Sequence, residues 1–370
     1  MAHYNTVFRA VQRFMPRHDF ENIEGQIFDG SESRKFSNWA HFTFMLNAHL
    51  QEAKSLRDAL VSFNAQSEKH YHLGVPNAVC RSTVSDANRN RSHLLYQKIF
   101  EHLQRTTLSQ FASRFTAPFK IMDSTEISDH GRASGNLKVH VVLDMLNAIP
   151  LSVEITDSKI GDITVAKQKQ FSPGDVVVMD RGYFAAEKLE NINKTGAFFI
   201  VRMKAKVHDF THSRELLDAK NVKEDCRISF SGSCGEKYSG PLRKIRIHDD
   251  RKNEDFDVIT NILDLPAESI ASLYKSRWQI EIFFKWLKQN SKLKTIFAYD
   301  ANGIKIQIWT ALICYLLLWV MARSTEFTDL LMLRRIIKAR LFDPEDTLYP
   351  SRRPGTQGAQ ILIFPYPAGQ

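Results

Sequence analysis

Cysteine is scarce in this chain of 370 residues: Cys80, Cys226, Cys234 and Cys314 are the four, and no two form a Cys-x-x-Cys pair. Such spacing gives no support to a zinc ribbon, a redox pair or a disulfide framework, and it makes a reducing cytosol the default compartment. Long apolar runs are also missing. Trp309 to Met321 is strongly apolar but about 13 residues long, short of the roughly 20 that a membrane span needs, so it reads as a buried helix. The first residues lack the apolar core of a signal peptide. No internal repeat or long low-complexity segment is evident, although the last twenty residues, rich in Pro, Gly and Gln, read as loose. Acids are outnumbered, 41 against 50 Lys and Arg, and the resulting net charge of +9 and pI near 9.3 suit a nucleic-acid partner. With 43% apolar and 25% charged residues, the chain has the makings of a soluble globular protein of two or more domains.

Helical periodicity dominates the first 115 or so residues, with amphipathic runs around Trp39 to Leu50, Ser55 to Phe63 and His93 to Phe111, the second capped by Ser55. Eight of the thirteen histidines fall here. The spacing of His70 and His72 with Cys80 matches no metal-ligand pattern, so surface or core histidines are the better reading. From about Phe115 strand-like runs take over: Phe119 to Asp123, Lys138 to Leu146, and Pro150 to Thr156 after an Asn-Ala-Ile-Pro turn. A short helix is expected from Asp162 to Phe171. The run from Asp175 to Asp180 is continuously apolar between its end carboxylates, as in a strand buried within a sheet. A helix from Phe184 to about Asn193 and a strand from Ala197 to Met203 complete three strands, helix, strand, helix, strand. That is a ribonuclease-H-like order, an α/β fold.

Residues 204–257 carry many charges, scattered Gly and Ser, and short alternating pieces such as Arg227 to Phe230 and Leu242 to His248, the pattern of a mostly β insertion. The expected organisation is a helical, DNA-binding amino-terminal domain over 1–115 and a catalytic core in two parts, 116–203 and 258–300, around the insertion. A helical carboxyl-terminal region and tail would occupy 301–370, with helices around Ile304 to Arg323 and Leu330 to Leu341.

The most informative segment runs from Tyr274 to Lys288. On a single helix at roughly 100° per residue, Tyr274, Arg277, Glu281 and Lys288 fall within an arc of about 60°. Ile280, Ile282, Phe283, Trp286 and Leu287 then supply the buried face. Six Lys and Arg against one acid between Tyr274 and Lys294 leave a local excess of five, over half the net charge. A carboxylate that can bind metal, flanked by cations that can bind phosphate, is what phosphodiester chemistry needs. Asp123 and Asp180 each end a buried-type strand and precede a turn-like segment. In a ribonuclease-H-like sheet the first and fourth strands are neighbours, so both aspartates would meet at one edge, where Glu281 could join them.

Tyr, two residues, Arg, three residues, Glu, six residues, Lys is the marker of a known family, the DDE transposases of bacterial insertion sequences in their family-four, hairpin-forming, cut-and-paste branch. Tyr274, Arg277, Glu281 and Lys288 match it at every spacing. Asp123 in Met-Asp-Ser-Thr-Glu and Asp180 in Met-Asp-Arg-Gly-Tyr resemble its two aspartate motifs. Similarity extends over about Phe115 to Tyr299, and the stretch 63–74 is similar to a helical domain fused to some members.

That resemblance implies a transposase that cleaves DNA at element ends and joins them to target DNA through a hairpin intermediate. Asp123, Asp180 and Glu281 would hold two Mg2+ ions, with Mn2+ as a substitute. Arg277 and Lys288 would grip phosphates, Tyr274 would meet DNA near the cut, and Arg181 and Lys285 would add DNA contacts. The partners implied are duplex DNA, as terminal inverted repeats and target, and a second copy of the chain on paired ends. No membrane is involved, and the location is the bacterial cytoplasm, on the nucleoid when DNA is bound.

Relatives of this kind hold a flipped base against an aromatic residue of the insertion, and Phe210, Phe230, Tyr238 and Phe256 are the candidates. Asp144 and Asp157 also sit near strand ends, as turn or surface carboxylates or, for Asp144, in support of the site. Glu126 and Glu154 could replace a ligand under another strand register. Two rival functions are a nuclease that hydrolyses without joining and a DNA-binding protein on a decayed transposase fold. The presence of all three acids and the full Tyr/Arg/Glu/Lys set argues against decay.

Overall fold

The computed structural model describes residues 5–27, 36–75, 78–114, 118–127, 136–219, 221–250, 252–290, 298, 300–325, 327 and 329–348. The loose tail expected over the last twenty residues lies outside them. The helices of the amino-terminal part are α1 (Val7–Gln12), α2 (Arg17–Gly25), α3 (Asn38–Leu50), α4 (Leu56–Asn64), α5 (Arg81–Asn90) and α6 (His93–Gln110). The strands β1 (Phe119–Ile127), β2 (Leu137–Asp144) and β3 (Pro150–Asp157) come next, followed by α7 (Asp162–Gln168), β4 (Val176–Met179), α8 (Ala186–Lys194) and β5 (Phe198–Arg202). After them run β6 (Asp209–Ala219), β7 (Val222–Phe230), the single turn α9 (Gly232–Gly235), β8 (Leu242–Asp249) and β9 (Glu254–Thr260). Helices α10 (Ala267–Lys275), α11 (Trp278–Asn290), α12 (Ala301–Ser324) and α13 (Leu330–Arg340) close the described chain. Two compact units result: Met1–Ala112 with Ile127–Gly135 and Phe284–Gln370, and Ser113–Glu126 with Asn136–Phe283.

The first unit is helical and built around α12, which packs against α3, α5, α6 and α13. Nineteen of its residues are buried, with Trp309 and Trp319 meeting Phe100 and Phe111 at ring centroids 5.4 Å apart. Each such large apolar side chain contributes about 1.5–3 kcal/mol on burial. The sequence placed a buried helix here, and the burial holds, but the argument from shortness does not. Spanning 24 residues, α12 is long and apolar enough to cross a membrane by length and composition, yet it is almost wholly buried inside the protein. Ser55 caps α4, accepting the Asp58 N–H at 3.1 Å. His70 is a core residue, stacked on Phe63 with centroids 4.2 Å apart and its Nε2 at 3.0 Å from the Phe63 carbonyl.

The second unit is a nine-stranded mixed sheet in the order β3-β2-β1-β4-β5-β9-β8-β7-β6. Its centre is parallel: β1 pairs β4 from Phe119↔Val176 to Met122↔Met179, and β4 pairs β5. All four residues of β4 are buried, which is why Val-Val-Val-Met reads as a continuous apolar run. Met122, Val177, Met179, Leu189 of α8, Phe199 and Ile259 share one core. The expected insertion is antiparallel and extends this same sheet, with β9 pairing β5 at Ile200↔Thr260 and carrying β8, β7 and β6 outward. Strand β6 went unread in the sequence, because its exposed face hides the alternation among charges. Where one helix was expected from Tyr274 to Lys288 there are two. Bonds of the i to i−3 kind, Arg277 N to Tyr274 O, Gln279 N to Ser276 O and Ile280 N to Arg277 O, mark the break. Ser276 Oγ donates to the Ser272 carbonyl at 3.0 Å, a back-bond of the kind that bends helices.

Candidate active site

The register of β1 on β4 decides where the two aspartates go. Met122 stands opposite Met179, so Asp123 and Asp180 are the next residue on each of two neighbouring parallel strands. Asp123 still lies within β1, and Asp180 caps the turn Arg181–Tyr183 that follows β4. Each carboxylate accepts the N–H of the residue after it: Asp123 Oδ1 from Ser124 at 2.8 Å, Asp180 Oδ1 from Arg181 at 2.7 Å.

Glu281 enters from the first turn of α11, and a single guanidinium ties it to the sheet. Arg277 donates from Nη1 to Asp123 Oδ2 at 3.0 Å and from Nη2 to Glu281 Oε1. Its side chain is 19% exposed and that of Asp123 20%. Burial pushes the Asp123 carboxyl up from 3.8 to about 6. The Ser124 N–H and the Arg277 charge oppose that shift, and the charges of Asp180 and Glu281 reinforce it. For Arg277, burial works against the charge, but Glu281 and Asp123 outweigh it and raise its pKa further. Tyr274, on α10, is 9% exposed and packs on Phe256 with centroids 5.5 Å apart; burial pushes its hydroxyl up to about 12.

The structure thus brings Asp123, Asp180, Arg277, Tyr274 and Glu281 together within the sheet unit. Arg181 is exposed on the turn after Asp180. Lys285 and Lys288 lie one and two turns beyond Glu281 along α11, the first exposed and the second half-buried. Among the described residues no group of three His, Cys, Asp or Glu side chains stands in metal-holding proximity. The donor set nevertheless fits a hard divalent cation in kind, being all carboxylate. Arg277 carries the positive charge between two of the acids.

Three of the four other acidic candidates have structural partners. Asp144 ends β2 and receives the Asn147 N–H and Nδ2, as a turn former does, and Asp157 receives the Lys159 N–H. Glu154 pairs with Lys169 at 2.9 Å, and Glu126 is exposed on β1. Of the aromatic residues in the insertion, Phe230 and Tyr238 are buried. Phe256 lies under the Arg202 guanidinium, whereas Phe210 on β6 is 63% exposed.

The model of the transposase DDE domain family matches residues 112–317, more than half of the chain and all three acids. The chain belongs to this family. The transposase is accordingly an enzyme of DNA cleavage and strand transfer. A second family model, for a domain of unknown function (DUF4372), matches residues 3–76. Among its relatives is a Sinorhizobium fredii protein named as transposase y4zB, 28% identical over 289 residues, 73% of this chain and 80% of that one. A Geobacillus stearothermophilus protein named as the transposase for insertion sequence element IS5377 is 24% identical over 342 residues, 89% and 88% of the two chains. One from Synechocystis, named for insertion sequence element IS4SA, is 27% identical over 267 residues, 66% and 72%.

Sequence reasoning missed one neighbour of Asp123's strand. Asp162 opens α7, and its Oδ1 accepts the Ser124 hydroxyl at 2.7 Å, directly beside Asp123. In the sequence it reads only as an acid at a helix start, which is the commonest use of such a residue.

Proposed function

We propose that this transposase serves a bacterial insertion sequence, cutting duplex DNA at the terminal inverted repeats and joining the freed 3′-hydroxyls to target DNA. The reading is carried by one observation: parallel β1 and β4 set Asp123 beside Asp180, and Arg277 ties Glu281 to Asp123. The strand order β3-β2-β1-β4-β5 supports a ribonuclease-H-like core, with 204–257 as its insertion and the helical segments before and after it as flanking domains. The spacing of Tyr274, Arg277, Glu281 and Lys288 supports the family-four branch and its hairpin route.

In this reading Asp123, Asp180 and Glu281 hold two Mg2+ ions, or Mn2+ in their place. When bound, such ions supply charge stabilisation of the phosphoryl oxygens and lower the pKa of the attacking hydroxyl. The chain's own residues do the positioning. The backbone bonds from Ser124 and Arg181 fix one oxygen of each aspartate, and Arg277 holds the second oxygen of Asp123. Arg277 holds Asp123 and Glu281 in register and, on arrival of DNA, can turn its planar fork to a phosphate. Arg181, Lys285 and Lys288 grip the backbone, Tyr274 meets DNA beside the cut through the small part it exposes, and Phe210 offers an accessible ring to an extruded base. Two copies on paired ends, working in the cytoplasm, complete the picture.

The test is cleavage and joining of labelled DNA carrying the flanking element ends, with Mg2+, by wild type and Glu281→Gln. Hairpin and strand-transfer products that require Glu281 support the proposal. Metal-dependent cuts without joining would make the protein a nuclease of the same fold.

A further inference from the structure

Behind Asp123 and Asp180 lies a second row of polar groups for which the reaction as described has no use. Asp162 Oδ1 accepts the Ser124 hydroxyl at 2.7 Å, and Ser124 in turn gives its backbone N–H to Asp123 Oδ1 at 2.8 Å. From the neighbouring strand, Lys138 Nζ stands 3.4 Å and His140 Nδ1 3.6 Å from the same Asp162 oxygen. Burial lowers the His140 pKa, and Lys138 is the nearer of the two to that oxygen.

The other side of Asp162 faces the turn after Asp180. A Cβ built on Gly182 would stand 3.9 Å from Asp162 Oδ2, in van der Waals contact. Tyr183, next in that turn, is 2% exposed. It lies beside Ser124 and within the electrostatic reach of Asp162, Asp123 and Asp180. One carboxylate on α7 therefore bonds to the strand that carries the first aspartate and lies near the turn that follows the second.

We propose that Asp162 is a positioning residue: through Ser124 on one side and the Gly182–Tyr183 turn on the other, it sets the spacing of Asp123 and Asp180 and so tunes their affinity for a divalent cation. This rests on the reading of Asp123 and Asp180 as metal ligands. Groups that orient a ligand typically change metal affinity or activity by about 10- to 100-fold when removed. Ser124 is well suited to the linkage, because its hydroxyl answers to Asp162 while its N–H answers to Asp123. Lys138 gives Asp162 a cationic neighbour at 3.4 Å.

The experiment measures Mn2+ binding by the full-length protein without DNA, from the loss of the free-ion paramagnetic resonance signal. Wild type, Asp162→Ala, Asp162→Asn, Ser124→Ala and Asp123→Asn are compared, with urea unfolding of each as a check on folding. Asp162→Ala should bind Mn2+ at least about tenfold more weakly. Asp162→Asn, which retains an acceptor for the Ser124 hydroxyl, should recover most of that loss. In end-cleavage assays the Mg2+ concentration for half-maximal rate should rise in Asp162→Ala more than the saturated rate falls, a split that a general loss of fold would not give. If Asp162→Ala does not fold, Asp162→Asn and Ser124→Ala carry the comparison, and Ser124→Ala should bind more weakly than Asp162→Asn. Wild-type affinity in Asp162→Ala and Ser124→Ala, alongside a loss in Asp123→Asn, would overturn the positioning role and leave the metal reading intact. Equal binding by wild type and Asp123→Asn would overturn the metal reading and the positioning role with it.

Discussion

Replacing Asp123 by Asn will make the protein more stable at pH 8 while removing its catalysis. Burial raises the native carboxyl from 3.8 to about 6, and Asp180 and Glu281 add to that rise against the pull of Arg277. An acid whose native pKa exceeds its unfolded one holds its proton more tightly when folded. Its stabilising contribution is therefore complete below about pH 4 and is lost as pH rises through 6. The difference between native and unfolded carboxyl corresponds to roughly 3 kcal/mol, reduced somewhat because the side chain keeps 20% exposure. Asn resembles the protonated form and does not titrate. Urea unfolding without divalent ions should show Asp123→Asn about 2–3 kcal/mol more stable than wild type at pH 8, the gap closing as pH falls toward 4. A variant less stable than wild type at pH 8, or a gap equally wide at both ends of the range, would refute the reasoning, because burial and like charges would then not dominate at Asp123.

Arg277→Gln removes the charge that bridges Asp123 and Glu281, and should cost about 1–3 kcal/mol at pH 8 in the same unfolding assay. Because the lost charge is positive, added Mn2+ should restore more stability to the variant than it gives wild type; equal restoration would argue against metal binding between these acids. Ser55→Ala should cost about 1 kcal/mol and speed hydrogen exchange in α4 ahead of the other helices. Lys285→Ala and Lys288→Ala should each lower the dependence of DNA affinity on log salt by about one, measured by fluorescence anisotropy, whereas Glu281→Gln should leave that slope unchanged.

The parts legible in the sequence were those with one dominant force. Residues 176–179 sit in a fully buried parallel strand, and their unbroken apolar run said so. Asn38–Leu50, Leu56–Asn64 and His93–Gln110 are helices within a residue or two of where periodicity put them, Ser55 cap included. Asp123 and Asp180 were legible as a pair because the ribonuclease-H-like order expected from the sequence makes β1 and β4 neighbours, as they are. What stayed hidden depends on individual bonds and on contacts that periodicity does not register. The break after Lys275 turns on a Ser276 hydroxyl bonding back to Ser272, which a period of 3.6 cannot register. The burial of Tyr274 on Phe256 needs β9 beside α10, and the linkage of Ser124 to Asp162 spans 38 positions. Strand β6 has Phe210 and Leu216 exposed, so neither face of it reads as a core face.

The most direct test of the account is a crystal structure of the protein with bound Mn2+, located by its anomalous signal. Mn2+ should be held by Asp123, Asp180 and Glu281, with Arg277 moved off the two carboxylates that it bridges here. Mn2+ ligated elsewhere, with Arg277 still joining Asp123 to Glu281 at saturating ion, would contradict it.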